Sequence, residues 1–320
     1  MKPFTIVALI VGVAVSVAVV VSYGVHEIVG AFWRLGPAGF LVLCAAHAPV
    51  VAVLGLAWRF CLPKWSTVRA PGVIAARMLR DAGAEVLPLS ELGGYVLGAR
   101  AAVLAGATSL EAAASMLLDL TTEAVAQLGF VALGLAALYQ LRPDAAVLRP
   151  TAVVVAVLIG VVAFAALFAE RSVKFVAPAR AAIRRWFVLF GDTEKAFAIM
   201  GAITRERGQI AAALLLHLVG WLGVAAEAWL ALRLLGAPIP YYAALILESL
   251  LYAARSLGFF APNAVGVQEG AYALLAPLVG LNVTEALALS LVKRARDIVI
   301  GAPTLLLWQR AEAMRMLRRR

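Results

Sequence analysis

The residues of this chain that could do chemistry are charged side chains set into apolar stretches, and they come in two matched sets. Arg77, within Ala75-Ala76-Arg77-Met78-Leu79, is followed by Glu91. Arg255, within Ala253-Ala254-Arg255-Ser256-Leu257, is followed at the same spacing by Glu269. Further on, Glu111-Ala112 leads to Asp119 and Glu123 as Glu285-Ala286 leads to Lys293 and Asp297. Arg100, Glu227, Glu248, Arg294 and Arg296 also lie within or near apolar stretches. One charge at the centre of a lone transmembrane helix costs about 2.5–3.5 kcal/mol on insertion scales. So many such residues imply mutual pairing around an internal polar cavity. Structural ion pairing is the plain alternative for any one of them. The symmetric placement favours a role in function.

Glycines and prolines flank these charges. Gly93, Gly94 and Gly266 allow the backbone to leave the helical path without a side-chain penalty. A half-helix beginning there would aim unpaired N–H groups and its positive end at an anionic group such as phosphate. Pro88 and Pro262 are placed to start such half-helices. The competing reading is that small residues only permit close helix packing.

The elements that must carry these residues follow from composition. The chain is 64% hydrophobic and 14% charged, with a mean hydropathy of +0.95. A soluble domain has about a quarter charged residues. Such a chain belongs in a bilayer as helices, because lipid leaves every backbone polar group to be satisfied internally. The stretches do not alternate apolar and polar, which excludes a barrel. Crossings are expected at 4–23, 36–62 (kinked at Pro49), 109–141, 150–169, 209–235 and 283–309, about six in all. A short polar connection, His26 to Arg34, joins the first two. The stretch 4–23 is too long for a signal-peptide core and is expected to be retained. Two shorter pairs, 72–87 with 88–108 and 240–260 with 262–281, read as re-entrant hairpins, with three complete crossings per repeat as the alternative that satisfies the same charges. The fold expected is an all-α polytopic membrane protein, one integral domain over 1–320. Internal repeats at 72–141 and 241–310 each hold a hairpin and a full span.

The net charge of +10 sets orientation first. Basic residues concentrate in 64–80, in 171–207 and in the tail, while the connections at 24–35, 142–149 and 236–240 are nearly free of them. The positive-inside rule puts the basic set, and with it both termini, in the cytoplasm. The two repeats then run in opposite directions. Region 170–207 reads as an amphipathic pair lying on the cytoplasmic face against anionic lipid head groups. Nucleic acid is not an expected partner, since no basic helix alternates with stacking aromatics. Cys44 and Cys61 fall at the two ends of one expected helix, roughly 25 Å apart, beyond disulfide reach. No G-x-x-x-x-G-K-[ST], H-E-x-x-H or G-x-S-x-G motif occurs, and His26, His47 and His217 fall in separate segments. No catalytic residue, metal or cofactor is therefore expected. His217 reads as an interior hydrogen-bonder.

Two motifs carry a resemblance. Pro262-Asn263-Ala264-Val265-Gly266-Val267-Gln268-Glu269-Gly270, with Lys293-Arg294-Ala295-Arg296, resembles the second-half signature of the lysylphosphatidylglycerol synthase transmembrane (flippase-like) family. The first half, Pro88-Leu89-Ser90-Glu91-Leu92-Gly93-Gly94-Tyr95 with Gly98-Ala99-Arg100-Ala101 and Asp119-Leu120-Thr121-Thr122-Glu123, is similar to the hopanoid-biosynthesis-associated HpnL type. The resemblance implies a polytopic protein of the bacterial inner membrane that moves or binds lipid. It departs from the family in one place: Gly93-Gly94 stands where a Gly-Glu pair usually follows the proline. A hopanoid is thus a candidate substrate beside a phospholipid. The larger relatives' aminoacyltransferase domain is not expected here.

The leading expectation is a lipid flippase-like transporter. Arg77, Glu91, Arg255 and Glu269 would line or gate the site, with Gly93, Gly94, Arg100, Pro262 and Gly266 contributing. Asp119, Glu123, Lys293, Arg296 and Asp297 would form a charge network. The rival readings are a non-transporting membrane partner that recruits lipid-biosynthesis enzymes, those of hopanoid synthesis among the candidates, through the basic 171–207 surface, and an intramembrane lipid-modifying enzyme.

Overall fold

The computed structural model describes residues 25–86, 91–168, 193–257 and 264–318. These residues form helices and no strand. In chain order they are α1 (Val25–Phe60), α2 (Ala70–Val86), α3 (Glu91–Leu104), α4 (Ser109–Leu141), α5 (Leu148–Phe168), α6 (Thr193–Arg205), α7 (Arg207–Leu234), α8 (Tyr241–Leu257), α9 (Val267–Leu275), a 3-10 turn (Ala276–Val279) and α10 (Val283–Arg318). Among the described residues three helical stretches are long and apolar enough to cross a membrane: Trp33–Phe60 in α1, all of α4 and all of α7. Shorter apolar stretches lie at Gly93–Leu104 and Leu148–Leu158. The expected crossing at 4–23 lies outside the described residues, as does most of the amphipathic region 170–207. α10 is 36 residues long, roughly 54 Å at the helical rise, and its middle carries charge.

Helix lengths run short, short, long in both stretches matched by sequence. α2, α3 and α4 have 17, 14 and 33 residues. α8, α9 and α10 have 17, 9 and 36. Both long helices are capped at corresponding positions. Glu111 N–H donates to Thr108 Oγ1 (3.2 Å) and Thr108 N–H to Glu111 Oε2 (2.8 Å), a reciprocal capping box. Thr284 N–H donates to Asn282 Oδ1 (2.9 Å) ahead of Glu285.

Three local expectations need correction. The stretch from His26 to Arg34 is helical, part of α1. The departure from helical geometry in α1 falls at Gly36 (φ 63°, ψ 170°) and not at Pro49. Proline's fixed φ fits a helix although it forfeits a donor, whereas a positive φ calls for glycine. Gly93 and Gly94 lie inside the first turns of α3 with no positive φ, so the backbone does not break there. Gly94 instead permits close approach. A Cβ on it would sit 2.3 Å from the Arg80 carbonyl oxygen and 2.8 Å from Ala84 N.

The chain divides into two units. The first comprises Met1–Ala52, Arg77–Gly98 and Leu222–Arg320. Within it α9 packs on α8 and α10. Its interior holds Leu247, Leu251, Tyr272, Ala276, Leu287 and Val292, all fully buried. The second comprises Val53–Ala76 and Ala99–Trp221. There α4 packs on α5 and α6. Ala113, Ala114 and Ala196 make the α4–α6 contact, flanked by Leu110, Leu117, Ile199 and Met200. Phe130 stacks on Trp221 with centroids 5.7 Å apart.

Candidate functional site

The polar core of the first unit is built on three short-range devices. The chain enters α9 through Ala264 (φ 47°) and Gly266 (φ 84°), both left-handed. Glu269, three residues past Gly266, turns back so that Oε2 accepts the Gly266 backbone N–H at 3.0 Å. Glycine has no side chain to reciprocate, so this is half a capping box. On α10, Ser290, Lys293, Arg294 and Asp297 lie at i, i+3, i+4 and i+7, the spacing of one helix face. On α2, Arg77, Asp81 and Glu85 recur every four residues and share another.

These faces join into one chain of hydrogen bonds. Arg255 Nη2 donates to Glu85 Oε1 (3.1 Å) and Nη1 to Gln268 Oε1 (2.9 Å). Gln268 Nε2 donates to Ser290 Oγ (2.8 Å), and Ser290 Oγ donates to Glu269 Oε1 (2.9 Å). Arg294 closes on Glu269 through Nε to Oε1 (2.8 Å) and Nη2 to Oε2 (3.3 Å). Gln268, Glu269 and Ser290 are buried. Arg255 at 16% and Glu85 at 29% side-chain exposure form the accessible end, with Arg294 at 20%.

Two further ion pairs flank this chain. Lys293 Nζ donates to Glu248 Oε2 (2.5 Å) and Tyr272 Oη (3.2 Å), and Tyr272 Oη donates to Glu248 Oε1 (2.5 Å). Arg296 Nη1 donates to Glu227 Oε2 (2.7 Å) and its other nitrogens to Asp297 Oδ1. His47 Nδ1 meets Glu227 Oε1 at 3.0 Å. Glu248, Glu227, Glu269, Lys293 and Arg296 therefore each have an opposite charge in contact, the condition on which a low-dielectric interior tolerates them.

The second unit holds its own polar stripe. Glu111, Ser115, Asp119 and Thr122 share one buried face of α4. Trp58 Nε1 donates to Ser115 Oγ (3.2 Å), and Cys61 Sγ lies 3.6 Å from Thr122 Oγ1. His217 Nε2 is 3.1 Å from Asp119 Oδ1. Trp221 Nε1 donates to the Glu123 carbonyl (3.4 Å).

The structure thus joins some of the sequence-predicted residues and gives others separate partners. Arg255, Glu269 and Gly266 meet in one network. Arg77, the sequence counterpart of Arg255, bonds within its own helix, its Nε donating to both Asp81 carboxylate oxygens at 2.8 and 2.9 Å. In the expected charge network, Lys293 bonds Glu248, Arg296 and Asp297 bond each other, and Asp119 bonds His217. Arg100 is exposed on α3, Glu91 is the first residue of α3, and Pro262 lies outside the described residues. Sequence reasoning gave no site role to Glu85, Gln268, Ser290 or Tyr272, and counted Arg294 only among the charges set in apolar stretches. Helical spacing from Arg77, Lys293 and Asp297 was the available signal for Glu85, Ser290 and Arg294. Among the described residues no group of three His, Cys, Asp or Glu is arranged to hold a metal ion.

Fold and site together define a multi-pass α-helical membrane protein with a hydrogen-bonded ionic core. The family described as the lysylphosphatidylglycerol synthase TM region matches residues 6–303, and the chain belongs to that family of membrane proteins linked to lipid handling. Neither the curated proteins nor the solved structures compared with it include a match.

Proposed function

We propose that this protein is a flippase-like transporter that moves a lipid, a hopanoid or a phospholipid, across the bacterial inner membrane. The observation that carries the proposal is the unbroken hydrogen-bond chain Glu85–Arg255–Gln268–Ser290–Glu269–Arg294. Its buried middle, Gln268, Ser290 and Glu269, is fixed by backbone and side-chain donors. Its accessible end presents one carboxylate and one guanidinium. A lipid head group with donors and acceptors can replace the Glu85–Arg255 contact there while its tails stay in the bilayer. Exchange of one paired partner for another leaves no buried charge uncompensated.

In this reading the stretches 72–141 and 241–310 are inverted copies, and both termini face the cytoplasm. The basic segments meet anionic head groups, and hopanoid-synthesis enzymes are natural neighbours. The matched caps and helix lengths support the repeat.

Purified protein reconstituted in vesicles with a fluorescent phosphatidylglycerol analogue tests the transport. Wild type should move the probe between leaflets, and Arg255→Ala and Glu85→Gln should lose that movement while keeping wild-type solubility and helix content. Equal movement in protein-free vesicles, or wild-type rates in both variants, would remove the assignment. Mass spectrometry of co-purified lipid distinguishes hopanoid from phospholipid.

A further inference from the structure

We propose that His217, with Asp119 as its counter-ion, is a proton-binding site of the second unit that takes up and releases one proton at Nδ1. Both side chains are fully buried. The imidazole is anchored through Nε2, 3.1 Å from Asp119 Oδ1. Its Nδ1 has no hydrogen-bond partner among the described residues.

The anchor fixes the chemistry of the free nitrogen. An ionised carboxylate only accepts, so Nε2 carries the hydrogen and Nδ1 of the neutral ring is a bare lone pair. Asp119 also has interactions beyond this bond. With Asp119 as the anion of the pair, the bare lone pair of Nδ1 is the atom that binds the proton. Proton uptake at Nδ1 turns a pair of net charge −1 into a neutral ion pair. Without the proton Nδ1 faces no donor, and with it the new N–H faces no acceptor, so neither state is fully satisfied in this conformation.

A purely structural anchor for Asp119 would need no such atom. A glutamine amide or a serine hydroxyl would donate to the carboxylate without adding a basic nitrogen. The titratable neighbours are Cys61, Glu123 and Glu111. Glu111 lies two turns before Asp119 on the same buried face of α4 and is held by its capping box with Thr108. Cys61, at the end of α1, lies within electrostatic reach of Asp119 and Glu123. Glu123 is one turn further along α4. Trp58, Ser115 and Thr122 are uncharged, α6 meets α4 through alanines, and α7 around His217 is apolar. Because Nδ1 is sealed, proton exchange requires a second conformation that admits water. Where the transporter reading holds, that change is the step coupling proton and lipid movement.

Nitrogen NMR of wild-type protein with labelled histidine, from about pH 5 to 8, tests the site directly, with His217→Gln identifying its signals among the three histidines. The expected result is a ring protonated at Nε2 alone at high pH and at both nitrogens at low pH, with the low-pH form lost in Asp119→Asn. Ring signals of His217 that do not change over the range would overturn the proposal. In vesicles carrying the fluorescent phosphatidylglycerol analogue, a pH gradient should accelerate wild-type movement, and His217→Gln should lose that response. Titration of His217 in a protein that moves no lipid supports the proton site and rejects the transporter reading. Lipid movement indifferent to the gradient, with an invariant His217, rejects the proton site alone.

Discussion

The Glu269 carboxylate accepts the backbone N–H of Gly266 at 3.0 Å while receiving Ser290 and Arg294 from α10. One side chain thus fixes the start of α9 and ties that helix to its neighbour. The geometry depends on Gly266 holding φ 84° and ψ −37°.

Gly266→Ala should therefore destabilise the protein by about 1–3 kcal/mol, the cost of forcing a Cβ into a sparsely populated backbone region. Thermal unfolding in detergent reads the change. An unchanged midpoint would mean that α9 can start with ordinary dihedrals.

Gly94→Ala should cost about 1–3 kcal/mol for a different reason, overpacking against fixed backbone. The new methyl meets the Arg80 carbonyl at 2.3 Å, and only a shift of α2 against α3 relieves it. Gly129→Ala, in α4 with nothing within 4 Å, is the control. It should be neutral or gain up to about 1 kcal/mol. Equal effects of the two substitutions would contradict the steric account.

Thr108→Ala removes a reciprocal box and should cost about 1 kcal/mol. Thr108→Ser should restore most of it. Asn282→Ala, which removes a cap to Thr284 N–H alone, should cost less. Hydrogen exchange at the first turns of α4 and α10 would reveal the order, and a larger loss at Asn282 would reverse it.

Lys293→Met leaves Glu248 buried without its cation and should cost about 3–5 kcal/mol. Combining it with Glu248→Gln should recover much of the loss, because no ionised group then stays unpaired. A double variant as unstable as the single one would show that the Lys293–Glu248 contact is not the source of the cost.

Legibility in the sequence tracked the range of the interaction. The extent of α4 could be read from its apolar run and its Thr108–Glu111 box, because both signals lie within a few residues. The face of α10 that carries Lys293 and Asp297 follows from helical spacing. The bend in α1 is not legible, because Pro49 and Gly36 are both local candidates and only the dihedrals separate them. Nor is the role of Gly94, because glycine permits either a break or a close approach, and the neighbour that settles it, Arg80, is on another helix.

The sequence by itself determined that this is a helical membrane protein and that its charges need partners. Its apolar content leaves the backbone no other way to satisfy its hydrogen bonds in lipid. Tertiary structure alone decided which partners they find: Glu85 with Arg255, Glu248 with Lys293, Glu227 with Arg296, Asp119 with His217. These residues lie from 45 to 170 positions apart along the chain. Pairing at that distance is set by which helix faces pack together, and helical periodicity names a face without naming what it meets.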